Sequence, residues 1–577
     1  MRNKILALLT VLVAASCAPK DGIHHLTILT TDDVHGAWFD SLYVGEKTRP
    51  SLFAVNTYVD SVRAADGAEN VLLLDAGDCL QGDNAPYYYN YVDTTSEHLF
   101  VRLVDYMGYD AIAVGNHDVE TAHHVYDRVT KQLAKHGIPY MAGNAIRNDN
   151  GKPYWVNHKV FKRAGLKILV LGYTNPDMAS WLAPEIWSGM RFENLIPLVQ
   201  QDVDKYKAQY KPDVTIVMAH SATGEGDGSI LESQGKDLYN SLHGVDFIVC
   251  AHDHRQTAFY NDTTAFINAG NRSKYIGYGS LDLEIKNGKV ASKKISSDII
   301  TVDKTKVDTA MRAAFRNEYE TVKAFTVREV GHLAMDMYTR DAYRGMSDYI
   351  NLVHIVQLKS TGAQISFAAP LTYNGKIPAG TLLYNDMFTI YPYENQIYKL
   401  KMSGKQVKDF MEFSYGLWLA EPGSDHVLRV IKRDDPRNNQ ASWSFEKRSY
   451  NFDSAAGLKY TVDVTKPEGE RVNIISMADG TPFDENAEYT VAMTSYRANG
   501  GGDTLNKGAG IAKEDVESHI IQRYPEIREF IYQFIEENKD ITHDLISNES
   551  VIGEWHFIPE SSKAGIEMDM ALLFRNY

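Results

Sequence analysis

Five groups of polar side chains that could bind metal ions occur in the first half of the chain, each directly after a short apolar run. They are 32–36 (DDVHG), Asp78, 116–118 (NHD), His220 and 252–254 (HDH). Imidazole nitrogens together with carboxylate and amide oxygens suit zinc, manganese or iron, whereas a magnesium site would favour oxygen ligands. A single histidine at a strand end is more often structural, but five such groups in this order predict a metal centre.

The apolar runs that precede these groups are typical of strands buried on both faces. They are short and rich in Val, Ile and Leu, at 26–31, 71–77, 110–115, 167–174, 213–219 and 246–251. Amphipathic segments such as 51–64 and 97–107 separate them, so the pattern predicts a layered α/β domain. In open α/β sheets ligands bind beyond the carboxyl ends of the strands, where these polar groups lie.

The series D-x-H, G-D, G-N-H-D, H and H-x-H resembles the calcineurin-like metallophosphoesterases, and the second half is similar to the C-terminal domain of exported nucleotidases. The resemblance implies a layered β-sandwich domain flanked by helices, an α+β substrate-binding domain, and two divalent metal ions of the zinc, manganese or iron type. The implied ligands are Asp33, His35, Asp78 and His254 for one metal, and Asp78, Asn116, His220 and His252 for the other.

Two details of this ligand set follow from the residues themselves. Asp32 competes with Asp33, but the D-x-H spacing favours Asp33, because donors two residues apart lie on one side of an extended segment. Ala251 stands where the family usually has glycine. Loss of the glycine restricts the backbone but removes no ligand, so we expect the site to persist.

Two cations suit phosphate ester hydrolysis, because they neutralise the substrate oxygens, lower the pKa of a bound water and align it with the leaving group. The leaving alkoxide then needs a proton. His117, beside Asn116, is the candidate general acid, since the ordinary pKa of histidine is near neutral. By resemblance, a carboxylate three residues further on orients it. That residue here is Glu120, one methylene longer than the usual aspartate, and Asp118 is the alternative.

The second half carries aromatic side chains in two segments that resemble the substrate domain of exported nucleotidases. These are 391–395 (YPYEN) and 494–503 (TSYRANGGGD). The resemblance implies that one ring from each segment sandwiches the base, which gives Tyr393 and Tyr496, with Asn395 as a polar contact. Asp503 resembles a ribose-binding aspartate, displaced by one position by the third glycine.

The substrate branch depends on the segment 366–376 (SFAAPLTYNGK). Exported 5′-nucleotidases carry Gly-Gly-x-Arg there, whose arginine contacts the phosphate, but this segment has no arginine. The tripeptides 368–370 (AAP), 451–453 (NFD) and 496–498 (YRA) resemble instead the bacterial 2′,3′-cyclic-nucleotide 2′-phosphodiesterase/3′-nucleotidases. A 5′-nucleotidase or UDP-sugar hydrolase is the alternative. A non-catalytic nucleotide-binding lipoprotein is disfavoured, because every ligand type is present.

The N-terminal segment MRNKILALLTVLVAASC is typical of a secretion signal, with basic residues before an apolar run too short to span a bilayer. Small residues before Cys17 resemble a lipobox, which predicts an exported, periplasmic or cell-surface lipoprotein held to the membrane through lipidated Cys17. The alternative is an ordinary signal with an incidental cysteine. Cys79 and Cys250 are predicted to be small buried residues, with one disulfide as the alternative.

Length and charge set the remaining limits. A chain of 577 residues exceeds one hydrophobic core, and we predict a signal with lipobox at 1–20, a catalytic domain at 21–302, a connecting helix at 303–330 and a substrate domain at 331–577. The last part, 543–577, looks less regular. A net charge of −16 without a basic run argues against long nucleic acid as a partner and leaves small nucleotides. The sequence carries no signal for oligomeric state.

Overall fold

A computed structural model describes residues 19–180, 182–435 and 440–574. The chain divides into two compact units. The first unit holds residues up to Ala179 together with Pro184–Lys323, and the second holds Ser180–Ala183 and Ala324–Tyr577. Most of the predicted secretion signal, including Cys17, lies outside the described residues. None of the helices in the described ranges is long and apolar enough to cross a membrane.

Two six-stranded sheets form the framework of the first unit. In hydrogen-bonded order, the first sheet contains Lys289–Thr301, Tyr275–Lys286, Gly22–Thr31, Val71–Asp75, Ala111–Ala113 and Tyr140–Met141. The second sheet contains Thr257–Tyr260, Ala265–Asn268, Phe247–Cys250, Val214–Ala219, Leu166–Tyr173 and His158–Arg163. All six predicted strands are present, and those followed by polar groups run parallel within each sheet.

The two sheets pack face to face through side chains that alternate along each strand. Leu26 and Ile28 of the first sheet share one buried core with Ile168 and Val170 of the second. The opposite face of the second sheet packs on helices, as Leu171 shows by lying in a core with the helix Leu195–Tyr210. The central strands Val71–Asp75, Ala111–Ala113, Val214–Ala219 and Phe247–Cys250 are buried at every position, which explains their apolar sequences. The arrangement confirms the predicted layered sandwich with flanking helices.

The helices of the first unit connect its strands, and two of them correspond to the predicted amphipathic segments 51–64 and 97–107. They are Leu52–Asp66, Asn84–Tyr87, Leu99–Met107, Asn116–Glu120, His123–Lys135, Leu195–Tyr210, Gly235–Ser241, Thr309–Ala314 and Arg316–Thr326. The prediction of one connecting helix over 303–330 was wrong, because the helix begins only at Thr309, is interrupted at Phe315 and ends at Thr326. Asp308 caps the first piece by accepting hydrogen bonds from the backbone of Ala310 and Met311, which fixes its start.

The second unit is an α+β fold around one five-stranded sheet, as predicted. Its strands, in order, are Ser454–Ala456, Ile365–Ala368, Glu488–Thr494, Gln396–Ser403 and Ile520–Glu526. Smaller sheets contain Gly380–Leu383, Glu329–Leu333 and Asp540–Ile541; Val472–Met477, Leu458–Asp463 and Gly553–Ile558; Met337–Tyr338 and Lys376–Ile377; and the hairpin Val430–Asp435 with Gln440–Phe445. The longer helices are Asp348–Thr361, Gly404–Trp418, Ile527–Asn538 and Ser562–Leu573.

The end of the chain is more regular than its sequence suggests. The strand Gly553–Ile558 pairs in parallel with Leu458–Asp463, and the helix Ser562–Leu573 follows it. The strand alternates buried and less buried residues, a period-2 pattern that a single short segment signals weakly. Cys79 and Cys250, in the first unit, are both free and buried, so the disulfide alternative does not occur.

Candidate functional site

The polar groups that follow the strands of the first unit are held together by bonds between their loops. The backbone N–H of Asp33 donates to the Gly77 carbonyl at 3.0 Å, and that of His35 donates to the Asp78 carbonyl at 3.0 Å. Across the two sheets, the N–H of His252 donates to Asp33 Oδ2 at 2.8 Å. The carboxyl ends of the parallel strands therefore bring the predicted ligands to one place, although the first and last of them, Asp33 and His254, are more than 200 residues apart in the chain.

One cluster contains the side chains of Asp33, His35 and His254, which could hold a metal ion. The Nε2 atoms of His35 and His254 lie 3.0 Å apart. Each is within 3.8 Å of Asp33 Oδ1, a fully buried oxygen that has no hydrogen-bond partner among the described residues. The Gln81 carbonyl, 3.1 Å from His35 Nδ1, turns the other ring nitrogen toward the cluster. An unpartnered carboxylate oxygen facing two imidazoles is the environment that a divalent cation fits.

A second cluster contains Asp78, His220 and His252, and Asn116 joins it. Asp78 Oδ2 lies 3.2 Å from His220 Nε2. The Asn116 side-chain oxygen is 3.1 Å from His220 Nε2 and 2.8 Å from His252 Nδ1. Asp78 Oδ2 also lies 4.0 Å from His35 Nε2, so one carboxylate oxygen faces both clusters. This is the geometry that a bridging ligand requires.

Strained backbone conformations accompany this arrangement. Asp33, His35, Asp78, His252 and His254 have φ values of 45°, 46°, 63°, 79° and 58°, in the left-handed region. Non-glycine residues are uncommon there, and each such residue costs on the order of 1–3 kcal/mol. The surrounding hydrogen bonds hold the residues in this conformation, which lets sharply turning loops aim their side chains inward.

Glycine is required at one close approach between two of these loops. A Cβ atom on Gly115 would lie 2.0 Å from Asp78 Oδ1, so only glycine allows the Asn116 loop to lie against Asp78. Ala251 is different. It is buried and is not among the described residues with positive φ, so an alanine fits where the family usually has glycine.

Burial controls the charge state of the first cluster. It is the main cause that lowers the pKa of His254 to about 4 and that of His35 well below its ordinary range. Burial, followed by the charges of Asp78 and Asp32, raises the pKa of Asp33 well above its usual range. Metals bind neutral imidazoles and ionised carboxylates. A divalent cation would therefore use the histidines as they are and favour the ionised form of Asp33.

His117 stands beside both clusters, with its ring 5.2 Å from that of His35. Its backbone N–H donates to Asp78 Oδ1 at 2.8 Å, and its Nδ1 lies 2.8 Å from Glu120 Oε2. Burial acts to lower the pKa of His117, but the carboxylates of Glu120 and Asp78 outweigh it and raise the pKa to about 10. The structure thus brings Glu120 to the ring in the way that the sequence analysis expects.

Asp118, the alternative partner of His117, has a different environment. Its fully buried carboxylate accepts hydrogen bonds at 2.8–3.0 Å from the backbone of Asp78, Cys79, Leu80 and Gly115. It ties the Asp78 loop to the Asn116 loop. Asp32 is similar, since its Oδ2 accepts from the backbone of Ala269 at 2.7 Å, and it is Asp33 that joins His35 and His254.

Sequence reasoning missed one carboxylate near this centre. Glu232 Oε2 lies 3.5 Å from His252 Nε2, on the other side of the ring from the atom that faces Asn116. Carboxylates in such positions orient metal-binding histidines. Glu232 belongs to no strand or helix and has no spacing relation to the other ligands, so no signal in the sequence indicates its role.

The second unit contains a recess that is lined by residues from several of the predicted motifs. These are Gln357, Phe367, Ala368, Ala369, Leu371, Tyr391, Asn395, Tyr450, Asp453, Thr494, Tyr496 and Arg497. Asn395 donates to the Tyr391 hydroxyl at 3.1 Å, which orients its amide. A Cβ on Gly501 would lie 2.5 Å from the ring of Tyr496, so the glycine backbone supports that ring.

Two predicted substrate-binding residues do not line this recess in the described structure. Tyr393 is 36% exposed, and Asp503 Oδ2 lies 2.8 Å from Lys507 Nζ on an exposed turn. Tyr450 lines the recess instead, with its ring 6.4 Å from that of Tyr496 and nearly perpendicular to it. Sequence reasoning missed Tyr450, although it directly precedes the Asn-Phe-Asp tripeptide that was singled out.

A buried ion pair joins the two motifs that form this recess. Arg497 Nη2 lies 2.7 Å from Asp453 Oδ2, and both side chains are less than 5% exposed. The same guanidinium donates to Asn451 Oδ1 at 3.2 Å and to the Tyr450 carbonyl at 3.0 Å. The Tyr-Arg-Ala and Asn-Phe-Asp tripeptides therefore form one structural element, which sets Tyr450 and Tyr496 side by side.

Comparison with known proteins agrees with the two-part organisation. Residues 26–256 match the calcineurin-like phosphoesterase family, and residues 327–507 match the 5′-nucleotidase C-terminal domain. The trifunctional nucleotide phosphoesterase protein YfkN of Bacillus subtilis is 26% identical and covers 83% of this chain, which spans only 36% of that protein's length. A 2′,3′-cyclic-nucleotide 2′-phosphodiesterase/3′-nucleotidase of Haemophilus influenzae is 23% identical over 92% of this chain and 87% of its own.

A solved structure shares the fold. A candidate 5′-nucleotidase from Staphylococcus aureus, crystallised with α-ketoglutarate, superimposes with a TM-score of 0.75 at 20% identity, covering 92% of this chain and 99% of its own.

Proposed function

We propose that this chain, in which a region matching the calcineurin-like phosphoesterase family precedes one matching the 5′-nucleotidase C-terminal domain, is a metal-dependent phosphoric ester hydrolase. We propose further that it acts outside the cytoplasm as a 2′,3′-cyclic-nucleotide 2′-phosphodiesterase and 3′-nucleotidase. The observation that carries the choice of branch is the segment Ala368-Ala369-Pro370, which has no arginine. Ala368 and Ala369 line the same recess as Tyr496, so this segment belongs to the pocket in which the base of a substrate would bind. The relative from Haemophilus influenzae, which bears this name, supports the proposal.

Seven side chains would hold the two divalent cations that the proposed reaction needs. They are Asp33, His35, Asp78, Asn116, His220, His252 and His254. When bound, the cations supply positive charge that neutralises the phosphate oxygens and activates a water for attack. The chain itself positions the ligands. Asp78 Oδ2 faces both clusters. Burial lowers the pKa of His35 and of His254, so both imidazoles stay neutral.

His117 is the proposed general acid. Glu120 holds its Nδ1 at 2.8 Å, so the proton for the leaving alkoxide would come from Nε2. This contact also favours the protonated ring, the form that an acid needs before the ester bond breaks. Glu120 acts through His117 and is a positioning residue.

Base recognition is assigned to the second unit. Tyr496 offers a ring that is supported by Gly501, and Asn395 offers an amide at the same recess. Stacking on aromatic rings holds bases without selecting strongly among them. Tyr393 and Asp503 remain proposed contacts to the base and the ribose, and Tyr450 is a further ring of the recess.

A substrate panel tests the branch. The metal-loaded protein is assayed with 2′,3′-cyclic AMP, 3′-AMP, 5′-AMP and UDP-glucose, with chelator as the control for metal dependence. We expect the highest kcat/KM on 2′,3′-cyclic AMP and substantial turnover of 3′-AMP. Faster turnover of 5′-AMP or UDP-glucose would assign the protein to the alternative branch, and binding of nucleotide without any turnover would indicate a non-catalytic lipoprotein.

Export and anchoring are a separate part of the proposal. The apolar N-terminal run ending at Cys17 motivates them. We expect the Cys17→Ala variant to appear in the soluble fraction or to stay unprocessed, when cells are fractionated and the N-terminus is determined by mass spectrometry. Normal processing with unchanged membrane association would exclude lipidation at this cysteine.

A further inference from the structure

An exposed arginine stands at the edge of the candidate metal centre and has no role in the scheme above. Arg272 follows the strand Ala265–Asn268, which lies next to Phe247–Cys250 in the second sheet. Its loop therefore leaves the same end of the sheet as the loop that carries His252 and His254. The rule that ligands gather at the ends of parallel strands applies to this sixth loop as well.

Three hydrogen bonds fasten this loop to the one that carries Asp33 and His35. The backbone N–H of Ala269 donates to Asp32 Oδ2 at 2.7 Å, and that of Arg272 donates to the Asp33 carbonyl at 2.9 Å. The Ser273 hydroxyl donates to the Ala37 carbonyl at 3.1 Å. The position of Arg272 relative to the first metal cluster is consequently fixed by the backbone.

The backbone at this point is strained. Arg272 and Ser273 have φ values of 53° and 54°, two consecutive non-glycine residues in the left-handed region. Glycine would adopt this conformation without the cost of on the order of 1–3 kcal/mol per residue. The conformation persists because the hydrogen bonds to neighbouring loops over-determine it.

The guanidinium group contacts the loop that packs on His35. Its Nη1 donates to the Gly82 carbonyl at 3.4 Å, and Gly82 is packed so closely on His35 that an added Cβ would come within 2.9 Å of His35 Cβ. In the described ranges no carboxylate forms an ion pair with Arg272, although many other arginines of the chain have one. A cation without an acidic partner, at the rim of a cluster that would hold metal, is suited to a substrate anion.

We propose that Arg272 binds a non-bridging phosphate oxygen of the substrate at the metal centre of the first unit. A guanidinium recognises phosphate through two parallel N–H donors, which a lysine cannot reproduce. The inference rests on the proposed function only in so far as the site cleaves phosphate esters. It predicts the strongest effect on doubly charged ligands, namely inorganic phosphate and phosphate monoesters.

Variants at this position can be chosen to preserve the loop. Asparagine tolerates the left-handed region, so Arg272→Asn removes the charge while keeping the backbone. Arg272→Lys keeps the charge and removes the paired donors. Lys274→Gln is the matched control, because it removes an exposed cation two residues away, whose Nζ is 3.5 Å from Asn271 Oδ1.

The first measurement is binding of inorganic phosphate to the metal-loaded proteins by isothermal titration calorimetry. We expect Arg272→Asn to weaken binding about ten- to a hundredfold, the effect of losing a hydrogen bond to a charged group. Arg272→Lys should fall between that variant and the wild type, and Lys274→Gln should match the wild type. Phosphate affinity in Arg272→Asn equal to that of the wild type would overturn the proposal.

A merely structural role is distinguished by metal content and melting temperature. Both should be unchanged in Arg272→Asn; a loss of metal would mean that the residue supports the Asp33 loop, and would also overturn the proposal. Kinetics with 4-nitrophenyl phosphate, which has no base, should show a raised KM in Arg272→Asn. If the wild type cleaves this ester but not 2′,3′-cyclic nucleotides, the proposed function fails while the phosphate contact is still decided by the calorimetry.

Discussion

The candidate metal centre of the first unit and the recess of the second unit differ in what fixes their walls. In the metal centre, each ligand closely follows a strand that pairs in parallel with a neighbouring strand. Backbone hydrogen bonds link the loops, such as Asp33 to Gly77 and His35 to Asp78. In the recess, the walls come from a strand end, a helix and irregular loops, and side chains join them, chiefly Arg497 to Asp453.

This difference explains why the residues of the metal centre could be predicted from the sequence more completely than those of the recess. The end of a strand fixes where the next residues lie, so a ligand's position follows from sheet topology. The position of an irregular loop depends instead on the tertiary side-chain contacts that hold it. Tyr393 and Asp503 were selected by local motif, yet neither lines the described recess, whereas Tyr450 does because the buried ion pair holds its carbonyl. The predictions below test this comparison.

The largest effect is expected from Asp78→Asn. Because Asp78 Oδ2 faces both clusters, the substitution should lower metal content and remove nearly all activity, by more than about 10²–10³-fold, the loss seen when one electrostatic group is removed. Metal analysis and turnover of bis-4-nitrophenyl phosphate measure it. Asp32→Asn is the matched control. Asp32 accepts from backbone N–H groups and belongs to neither cluster, so this variant should keep its metal. Full metal and normal turnover in Asp78→Asn would exclude the bridging role.

His117→Ala should keep its metal and lose about 10²–10⁴-fold in rate on nucleotides, which have poor leaving groups. An aryl phosphate ester should suffer less, because its leaving group hardly needs a proton. Glu120→Gln should show the same contrast in milder form, since it removes the negative charge beside Nδ1 and leaves the ring in place. An equal loss on both substrates would contradict the acid role.

Arg497→Met should destabilise the second unit by about 3–5 kcal/mol, because it leaves Asp453 buried without its partner. Denaturant unfolding measures this change, and nucleotide turnover should fall with it. The double variant Arg497→Met, Asp453→Leu should recover much of the stability, since no buried charge remains. Lys405→Met, which breaks an exposed pair with Asp409, is the control and should leave the unfolding midpoint unchanged. Wild-type stability of Arg497→Met would show that the recess is held in some other way.

The smallest effect is expected from Tyr496→Ala. Loss of a stacking ring costs about 1–3 kcal/mol, so kcat/KM for nucleotides should fall about ten- to a hundredfold. Bis-4-nitrophenyl phosphate has no base and should be cleaved normally, which separates base recognition from damage to the fold.

Tyr393→Ala and Tyr450→Ala then test which tyrosine supplies the second stacking ring. Whichever of them reproduces the nucleotide-specific loss identifies the second ring. If neither Tyr496→Ala nor these two variants distinguishes the substrates, the recess does not bind the base.

The sequence by itself determined the layered fold of the first unit and the place of its polar groups. Strands buried on both faces must be apolar throughout, so their ends are visible, and residues after parallel strands meet at one edge. The spacing D-x-H also selected Asp33 over Asp32, the choice that the structure makes, although Asp33 and His35 adopt left-handed conformations and not the extended one from which that choice was argued. These features depend on short stretches of chain and on rules that hold for any sheet.

Only the tertiary structure decided which more distant residues join each site. Glu232 and Arg272 reach the metal centre from loops with no periodic pattern, and Tyr450 reaches the recess through the pairing of Arg497 with Asp453. The break at Phe315 and the strand Gly553–Ile558 were also invisible in advance. In each case the position depends on contacts between segments far apart in the sequence, which no local pattern records.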